Sequence, residues 1–371
     1  MKISLVVPGG VDRSGEYRVI PALLALIERL SARHIVHVFC LHQEREFAEW
    51  DFAGARIHNI GEGGTRMRAL RAIRAEHGLW PFDLVQSIFS GASGLVAVAA
   101  GRLLGIPSVV HVAGGEPVRL PEIGYGGRLR WRSRAQEAVA RKGATVLTAA
   151  SAPQIEMLCR LGVKARRVPL GVSLNAWPAQ EPLAHDPQEP ARLIHVASLN
   201  RVKDQATLLN ALAHLERMRI DFRADIVGED TLGGTIEGLA QELGLAGKVR
   251  FHGFLTQRQL YPLMRMAHVM VLSSRHEAGP VVMLEAAVLG VPTVGTAVGH
   301  IAEWAPGAAL AVPVGNAPAL AGALRAVLTD EVLRLRLGHE AQVRAVREDA
   351  DYTAECLEAL YSELLHGGQG A

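Results

Sequence analysis

The chain has 371 residues, of which 49% are hydrophobic and 20% are charged. This balance excludes a disordered chain, and at roughly 150 residues per domain the length predicts about two domains. Three widely spaced cysteines (Cys40, Cys159 and Cys356) exclude a disulfide framework and a CxxC zinc site. They favour a reducing compartment, and we expect a cytoplasmic protein.

The net charge of +2 hides an asymmetry between the two halves of the chain. Residues 1–170 carry 23 Lys and Arg against 14 Asp and Glu, so the remainder is acidic. A charge imbalance of this size indicates the kind of partner rather than the fold. The N-terminal MKISLVVPGG predicts a first strand rather than a signal peptide, and no apolar run is long enough for a transmembrane helix.

Short β-branched segments alternate with longer segments of helical periodicity along the chain. In the first half the predicted strands are Ile3–Val7, Ile35–Cys40, Leu84–Ile88 and Ser108–Val112, and the predicted helices are Ile20–Leu30 and Arg66–Glu76. After about residue 170 the alternation restarts with strands at Leu193–Val196, Ala224–Val227, Val249–Phe251, Val269–Leu272 and Thr293–Gly295. The helices between them are Leu208–Met218, Thr235–Leu243, Gln257–Ala267 and Val281–Leu289. This alternation predicts two doubly wound α/β domains with parallel sheets.

A composition change places the domain boundary near residues 175–190. This stretch, NAWPAQEPLAHDPQEP, holds four prolines and few apolar residues, which is typical of a linker. We therefore expect an N-terminal domain over residues 1–174, a linker, a second domain over 191–350 and a terminal helix over 351–371. Ligands of doubly wound sheets bind at the carboxyl ends of the strands, so the loops after strands are the candidate sites.

The strongest candidate site lies in Ser273–His300. The strand Val269–Leu272 ends in a polar loop, and Pro280 is predicted to begin a helix. The amides of Val281 and Val282 then suit an anion such as pyrophosphate, and Gly279 permits close approach. Two carboxylates, Glu277 and Glu285, bracket this position and can accept sugar or ribose hydroxyls. Spacing alone leaves open that Glu277 is solvated and that Glu285 lies on a helix surface.

The order Glu277, seven residues, Glu285, then Ala286, Gly290, Val291 and Pro292 resembles the signature of the family 4 retaining glycosyltransferases. Ala278 stands where that family often has Gly, and Gly299 and Glu303 extend the match. The resemblance implies the glycosyltransferase-B fold, in which two Rossmann-like domains face a central cleft. It also implies that the last helix crosses back to the N-terminal domain, which binds the acceptor, while the C-terminal domain binds the donor.

The loop after the strand Leu193–Val196 is the second candidate. Lys203 in this loop is either a solvated lysine or a ligand for a diphosphate, and the resemblance implies the second role. The family's Arg, five residues before its Lys, falls on Ser198 in this chain. We expect Arg201 to supply the missing cation, and unchanged turnover of Arg201→Ala would contradict this.

Two glycine-rich loops of the N-terminal half are further candidates. The loop Pro8–Glu16 lacks a GxGxxG fingerprint, and a plain tight turn is the alternative, but the resemblance implies that Gly9, Gly10 and Gly15 contact the donor diphosphate. After the strand Ser108–Val112, we expect Gly114, Gly115 and Glu116 on the acceptor side. The family's sugar-contacting His falls on Ala113, so His111 is assigned as either an acceptor-side residue or a strand-end residue.

The resemblance also implies positions that border the nucleotide. Gly228 ends a predicted strand beside the nucleotide, and Gly253, Phe254 and Leu255 border the base. Glu285 is expected to take the ribose hydroxyls, and Glu277 with the Ala278–Val281 backbone to face the donor sugar. No spacing supports a bound metal, since Asp349-Ala350-Asp351 lies on a terminal helix.

Two arginine-rich stretches account for the basic first half. The first contains Arg66, Arg68, Arg71 and Arg74, and the second contains Arg128, Arg130, Arg132 and Arg134 around Trp131. Such segments bind an anionic membrane surface, bind an acidic acceptor, or form a solvated face. No nucleic-acid-binding signature accompanies them.

The resulting hypothesis is a retaining, metal-independent glycosyltransferase. It moves a sugar from a nucleotide-diphosphate sugar, UDP- or GDP-linked, to a hydroxyl acceptor in glycan, polysaccharide or glycolipid assembly. The nucleotide sugar is a co-substrate, and no permanently bound cofactor is expected. Expected partners are a carbohydrate or lipid-linked acceptor and the inner face of the cell membrane, with no nucleic acid. A nucleotide-sugar epimerase and a non-catalytic two-domain sugar-binding protein remain alternatives.

Overall fold

The computed structural model describes residues 1–367 and divides the chain into two α/β units. The first unit comprises Met1–Ser173 together with the chain from Glu348 onward, and the second comprises Leu174–Arg347. Each unit contains its own sheet and its own hydrophobic core. The prediction of two doubly wound α/β domains is confirmed.

The first unit is built on an eight-stranded sheet with the order β3-β4-β2-β1-β5-β6-β7-β8. Its strands are β1 (Lys2–Val7), β2 (Ile35–Cys40), β3 (Ala48–Phe52), β4 (Ala55–Asn59), β5 (Leu84–Ile88), β6 (Ser108–Val112), β7 (Val146–Ala149) and β8 (Arg166–Arg167). Its helices are α1 (Pro21–Ser31), α2 (Thr65–Leu79), α3 (Ala92–Leu104), α4 (Trp131–Gly143), α5 (Ala152–Arg160) and, near the C-terminus, α13 (Ala350–His366). All the strand pairs are parallel except β3 with β4.

The β3–β4 hairpin at the sheet edge escaped the sequence analysis. Its turn residues Ala53 and Gly54 both have positive φ, 49° and 81°, as a two-residue hairpin turn that matches the strand twist requires. Ala-Gly is a weaker turn signal than Asn-Gly, and the two strands are short and rich in charged residues. Both strands do alternate apolar and polar residues, with Ala48, Trp50 and Phe52 in β3 and Ala55 and Ile57 in β4, a hairpin signal that the sequence analysis did not use.

The terminal helix α13 packs on α1 in the first unit. Its Leu357, Leu360 and Tyr361 belong to the core formed with β1 and β2, and the Tyr361 hydroxyl donates to the Gln86 carboxamide. Gly171 lies against the backbone of Glu348 and Asp349, just before α13 begins. A Cβ on Gly171 would lie 2.1 Å from the Asp349 carbonyl carbon, so only glycine fits there.

The second unit is built on a six-stranded parallel sheet with the order β11-β10-β9-β12-β13-β14. Its strands are β9 (Ala191–Val196), β10 (Phe222–Val227), β11 (Val249–Phe251), β12 (Val269–Leu272), β13 (Thr293–Thr296) and β14 (Ala309–Val312). Its helices are α6 (Gln205–Arg217), α7 (Thr235–Glu242), α8 (Gln257–Arg265), α9 (Val281–Val288), α10 (Gly299–Trp304), α11 (Ala317–Thr329) and α12 (Glu331–Arg347). None of the helices in the described part of the chain is long and apolar enough to cross a bilayer.

The segment expected to be a linker, residues 175–190, is instead packed on the second unit. Trp177 is 1% exposed and its ring lies 5.5 Å from that of Tyr261. Arg334 of α12 is also buried and donates to the Leu183 carbonyl at 2.5 Å. The proline content suggested an unpacked linker. The buried Trp177 and the hydrogen bonds to the backbone instead hold residues 175–190 against the second unit.

Candidate functional site

Two loops of the second unit meet at the carboxyl ends of the neighbouring parallel strands β9 and β12. The loop after β9 carries Lys203, and the loop after β12 carries Glu277. The loops are joined by hydrogen bonds: the Ser273 hydroxyl donates to the Lys203 carbonyl at 2.9 Å, and the Arg275 amide donates to the Val202 carbonyl at 2.7 Å. Backbone contacts therefore hold the two predicted site loops in a fixed relation.

Lys203 and Glu277 form an ion pair in this position. The Lys203 Nζ lies 2.5 Å from Glu277 Oε1, and the Ser274 hydroxyl donates to the same oxygen at 2.6 Å. The two side chains are 25% and 11% exposed, so the pair is partly shielded from water. The cation expected to hold a diphosphate is thus paired with a carboxylate.

The N-terminus of α9 follows directly. Pro280 was predicted at the first helical position, but it is the N-cap with extended backbone, and the helix begins at Val281. The shift of one residue leaves the expected donors in place: the Val281 and Val282 amides have no acceptor within residues 1–367. They carry the partial positive charge of a helix N-terminus, which suits an anion. Gly299, with φ +51°, approaches Glu277 so closely that a Cβ would lie 3.1 Å from its carbonyl oxygen.

Glu285 lies in the second turn of α9 and is 5% exposed. Burial raises the pKa of its carboxyl group to about 7, although Gln257 donates its side-chain amide to Oε1 at 2.7 Å. Gln257 was not singled out from the sequence. The available signal was the capping box of Thr256 and Gln259, which places Gln257 in the first turn of α8. The alternative of a surface-exposed Glu285 is wrong.

The predicted base-side residues lie at the ends of β10 and β11. Gly228 has φ +151°, and its Cβ would lie 2.0 Å from the Ala197 carbonyl oxygen, so the ends of β9 and β10 approach too closely for any side chain. The Gly228 amide donates to the Gly253 carbonyl at 2.8 Å. Phe254 is 51% exposed, and Leu255 is partly exposed. Ser198 and Arg201 are both exposed, in the same loop as Lys203.

In the first unit, the glycine-rich loop after β1 is held by hydrogen bonds to a side chain of the same unit. The Gly10 and Val11 amides donate to Gln43 Oε1 at 2.8 and 3.0 Å. Gly10 has φ +90°, and a Cβ there would lie 2.6 Å from Ile20 Cγ1. The Gly10 amide is thus already bound to a side chain. Gly9 and Gly15 lie in the same loop, and Gly15 donates its amide to the Asp12 carbonyl.

The loop after β6 holds the predicted acceptor-side residues. His111 is buried within β6, its Nδ1 lies 2.9 Å from Thr148 Oγ1, and burial lowers its pKa to about 4, so the ring is neutral. A Cβ on Gly115 would lie 2.3 Å from the Tyr125 hydroxyl. Burial raises the pKa of the Glu116 carboxyl group, and a Cβ on Gly114 would lie 2.7 Å from its Oε2.

These features define a protein with two Rossmann-like units whose second unit presents a helix N-terminus, a lysine and two carboxylates at the carboxyl edge of its sheet. Residues 180–344 match the family model described as Glycosyl transferases group 1, and residues 19–172 match the model described as Glycosyl transferase 4-like domain. The chain belongs to the group 1 glycosyltransferases, the family whose motif was recognised in the sequence.

Individual relatives agree with this assignment. EpsF of Bacillus subtilis (strain 168), itself only provisionally assigned as a glycosyltransferase, is 31% identical over 263 residues, which cover 64% of this chain. The chain spans 63% of the length of that relative. A structure of sucrose-phosphate synthase from Thermosynechococcus elongatus superposes with a TM-score of 0.83 at 22% identity over 99% of both chains. Anabaena HepE in complex with UDP-glucose gives 0.74 at 18% identity over 98% of this chain and 100% of that one. These two likenesses show the glycosyltransferase-B fold.

Proposed function

We propose that the protein is a retaining glycosyltransferase that transfers a sugar from a nucleotide-diphosphate sugar to a hydroxyl acceptor. The donor is bound by the second unit and carries UDP or GDP. The observation that supports this most is the convergence of Lys203, Glu277 and the free amides at the start of α9 beside the buried Glu285. A cation and a helix N-terminus suit a diphosphate, and a buried carboxylate suits a diol.

Each group has a distinct role in this proposal. The Val281 and Val282 amides and the Lys203 ammonium bind the diphosphate, and Arg201 is the candidate second cation. Glu285 accepts hydrogen bonds from the ribose hydroxyls. Glu277, released from Lys203 when the phosphate binds, faces the donor sugar. Because the pair in the free protein is already partly desolvated, the exchange of partners replaces one charge-assisted hydrogen bond by another.

The chemical step follows the resemblance to the family. The acceptor hydroxyl oxygen forms a bond to the anomeric carbon on the face from which the diphosphate leaves, so the configuration is retained. The bond from that carbon to the diphosphate oxygen breaks, and the hydroxyl proton passes to the leaving diphosphate. Negative charge grows on the diphosphate during this step, and fixed amides with a lysine stabilise it. No step requires a metal in this proposal.

The acceptor side and the basic surface belong to the first unit. Arg66 of α2 donates to Gln136 of α4 at 3.1 Å, so the two arginine-rich segments adjoin. Trp131 and Met67 on these segments are 73% and 58% exposed. Basic side chains around exposed apolar ones suit an anionic lipid surface, where each Lys or Arg contributes about 1 kcal/mol. We therefore propose peripheral membrane binding on the cytoplasmic side and a role in glycan, polysaccharide or glycolipid assembly.

The membrane proposal is tested by co-sedimentation with phosphatidylcholine vesicles, with and without phosphatidylglycerol. We expect binding to the anionic vesicles only, weakened by salt and by Trp131→Ser. Trp80→Ser is the matched control, because Trp80 is also exposed (58%) but lies at the other end of α2. Equal binding by the two variants would contradict this surface.

The donor site is tested by calorimetric titration with UDP, GDP, ADP, dTDP and NAD, on the wild type and on Glu285→Ala. One nucleoside diphosphate should bind selectively and should lose affinity in the variant. Glu242→Gln, an exposed residue at the end of α7, is the control and should not change binding. Binding of NAD alone, or of no nucleotide, would overturn the proposal.

Transfer itself is tested by release of the nucleoside diphosphate from its sugar donor. Release should require an added hydroxyl acceptor, and the product should keep the anomeric configuration of the donor. Selective binding without release for any acceptor would favour the non-catalytic sugar-binding alternative. No contact in the described residues specifically favours the epimerase alternative.

A further inference from the structure

Three metal-ligating side chains of the first unit meet on one face of its sheet. His37 lies on β2, His58 on the neighbouring β4 and Glu76 on α2. The strand register pairs Phe39 with His58, so His37, two residues before Phe39, projects to the same face as His58. His37 Nδ1 lies 3.0 Å from His58 Nε2 and 3.6 Å from Glu76 Oε2.

We propose that His37, His58 and Glu76 form a binding site for a divalent transition-metal ion, with zinc as the best match. Two imidazoles and one carboxylate with a remaining open position are a ligand set that zinc accepts. Metal–ligand bonds of about 2.0–2.1 Å in a tetrahedron place the ligand atoms roughly 3.3 Å apart. The distances of 3.0 and 3.6 Å lie on either side of this value, and all three ligand atoms lie within 4.8 Å of one another.

A carboxylate behind His58 orients its ring for this role. His58 Nδ1 lies 2.8 Å from Glu49 Oε1, and Arg56 donates to the other oxygen of Glu49 at 2.7 Å. When His58 Nδ1–H donates to the Glu49 carboxylate, the lone pair of His58 Nε2 faces His37. Ligating histidines usually have such a carboxylate on their second nitrogen, which fixes the tautomer and makes the ring a stronger ligand.

The surroundings hold the two rings in place and leave one side accessible. His58 is 3% exposed, and the Phe39 ring stacks on it with centroids 4.7 Å apart. The Phe82 ring meets His37 edge-on. Glu76 is partly exposed, so an ion can enter from the α2 side. The neighbouring Lys2 ammonium is turned toward the carbonyls at the end of α2, to which it donates at 2.8 and 3.2 Å.

Sequence spacing did not predict this site. The two histidines are 21 residues apart, on strands of which one belongs to the unpredicted edge hairpin, and the carboxylate comes from a helix. Without an ion, the same contacts would form a chain of hydrogen bonds from His37 through His58 to Glu49, with Glu76 3.6 Å from His37 Nδ1. Metal binding therefore distinguishes a ligand site from a structural network.

The test uses the full-length chain without a histidine tag, treated with EDTA and then freed of it. Zn²⁺ is titrated by calorimetry, and Co²⁺ by the visible absorption of a four- or five-coordinate ion. We expect one equivalent to bind and to raise the melting temperature. Glu49→Gln should weaken binding by about 10- to 100-fold, as the loss of an outer-shell partner does, and Glu76→Gln, which removes a direct ligand, should weaken it at least as much. His37→Gln and His58→Gln should abolish it.

Glu76→Gln keeps the test decisive if a histidine variant fails to fold, because Glu76 is a partly exposed helix residue. The matched control is His185→Gln, which alters a second histidine pair, with ring centroids 4.6 Å apart, in the other unit. This control should bind as the wild type does. Absence of stoichiometric binding, unchanged affinity in Glu76→Gln, or loss of binding in His185→Gln would overturn the proposal.

Discussion

Burial of the Glu285 carboxyl group makes the stability of the second unit depend on pH. Burial raises the pKa of this group to about 7 from the ordinary 4.5, and the Gln257 hydrogen bond opposes the shift without cancelling it. The perturbation that isolates this effect is Glu285→Gln, which keeps the shape of the side chain and removes the ionisable proton. We expect the variant to be more stable than the wild type at high pH.

The magnitude follows from the difference between the two pKa values. A rise from 4.5 to about 7 corresponds to a preference of about 3 kcal/mol for the neutral acid in the folded protein. Below pH 4.5 the group is neutral in both states, so folding incurs no penalty. Between pH 4.5 and 7 the unfolded chain releases the proton while the folded protein keeps it, and stability falls. Above about pH 7 the full amount is lost.

The assay is differential scanning calorimetry of wild type and Glu285→Gln at pH 5 and pH 8. The two proteins should differ little at pH 5, and the variant should be more stable by up to about 3 kcal/mol at pH 8. Glu242→Gln should show no such dependence, because Glu242 is exposed. A difference between wild type and Glu285→Gln that is the same at both pH values would refute the reasoning.

Nucleotide binding gives an independent check of the Glu285 pKa, because affinity should rise with pH while stability falls. A ribose diol donates to a carboxylate better than to a neutral acid, so wild-type affinity should rise between pH 6 and pH 8. UDP-glucose and GDP-mannose are suitable probes, because a diphosphate diester does not titrate in this range. Glu285→Gln should bind them weakly and without that pH dependence. A more stable but less active variant is the expected outcome for a buried functional carboxylate.

Three further predictions concern single positions of the second unit. Arg201→Ala should raise the KM for the donor about 10-fold if Arg201 replaces the cation missing at Ser198, and an unchanged KM would contradict this. Gly228→Ala should destabilise the unit by about 1–3 kcal/mol in thermal unfolding, whereas Gly253→Ala, with φ +66° and no neighbour within 4 Å, should cost less. Arg334→Met should lower the melting temperature because the buried guanidinium's hydrogen bonds to the His268 and Leu183 carbonyls are lost, and Arg336→Met, at an exposed position, should leave it unchanged.

Local pattern was sufficient for the elements that carry the donor motif. The apolar run of β12, the proline before α9 and the spacing of the two glutamates fall within a single strand–loop–helix unit. The structure moves the start of that helix by only one residue. For candidate residues that lie close together in the chain, the sequence was therefore enough to select the residues and to predict the strand and helix that carry them.

Long-range pairing was beyond the sequence analysis. The partner of Glu285 is Gln257, 28 residues away, and the partner of Lys203 is Glu277, 74 residues away. Both glutamates and the lysine were selected, but their protonation and pairing depend on which loops the sheet brings together. The linker prediction for residues 175–190 was wrong for the same reason, because composition does not reveal that Trp177 is buried against Tyr261.

The pairing of Lys203 with Glu277 changes how the donor site has to be understood. In the proposed donor site, a free lysine would attract any phosphate, whereas a paired lysine would have to exchange its carboxylate for the phosphate, which favours a ligand that also contacts the α9 amides and Glu285. In the proposed binding mode a diphosphate attached to a ribose would contact all three, whereas inorganic phosphate has no hydroxyls to donate to Glu285, so we expect the ion pair to favour the complete nucleotide over simple anions. Selectivity of the proposed site therefore rests on an interaction that the ligand must break as much as on those it forms.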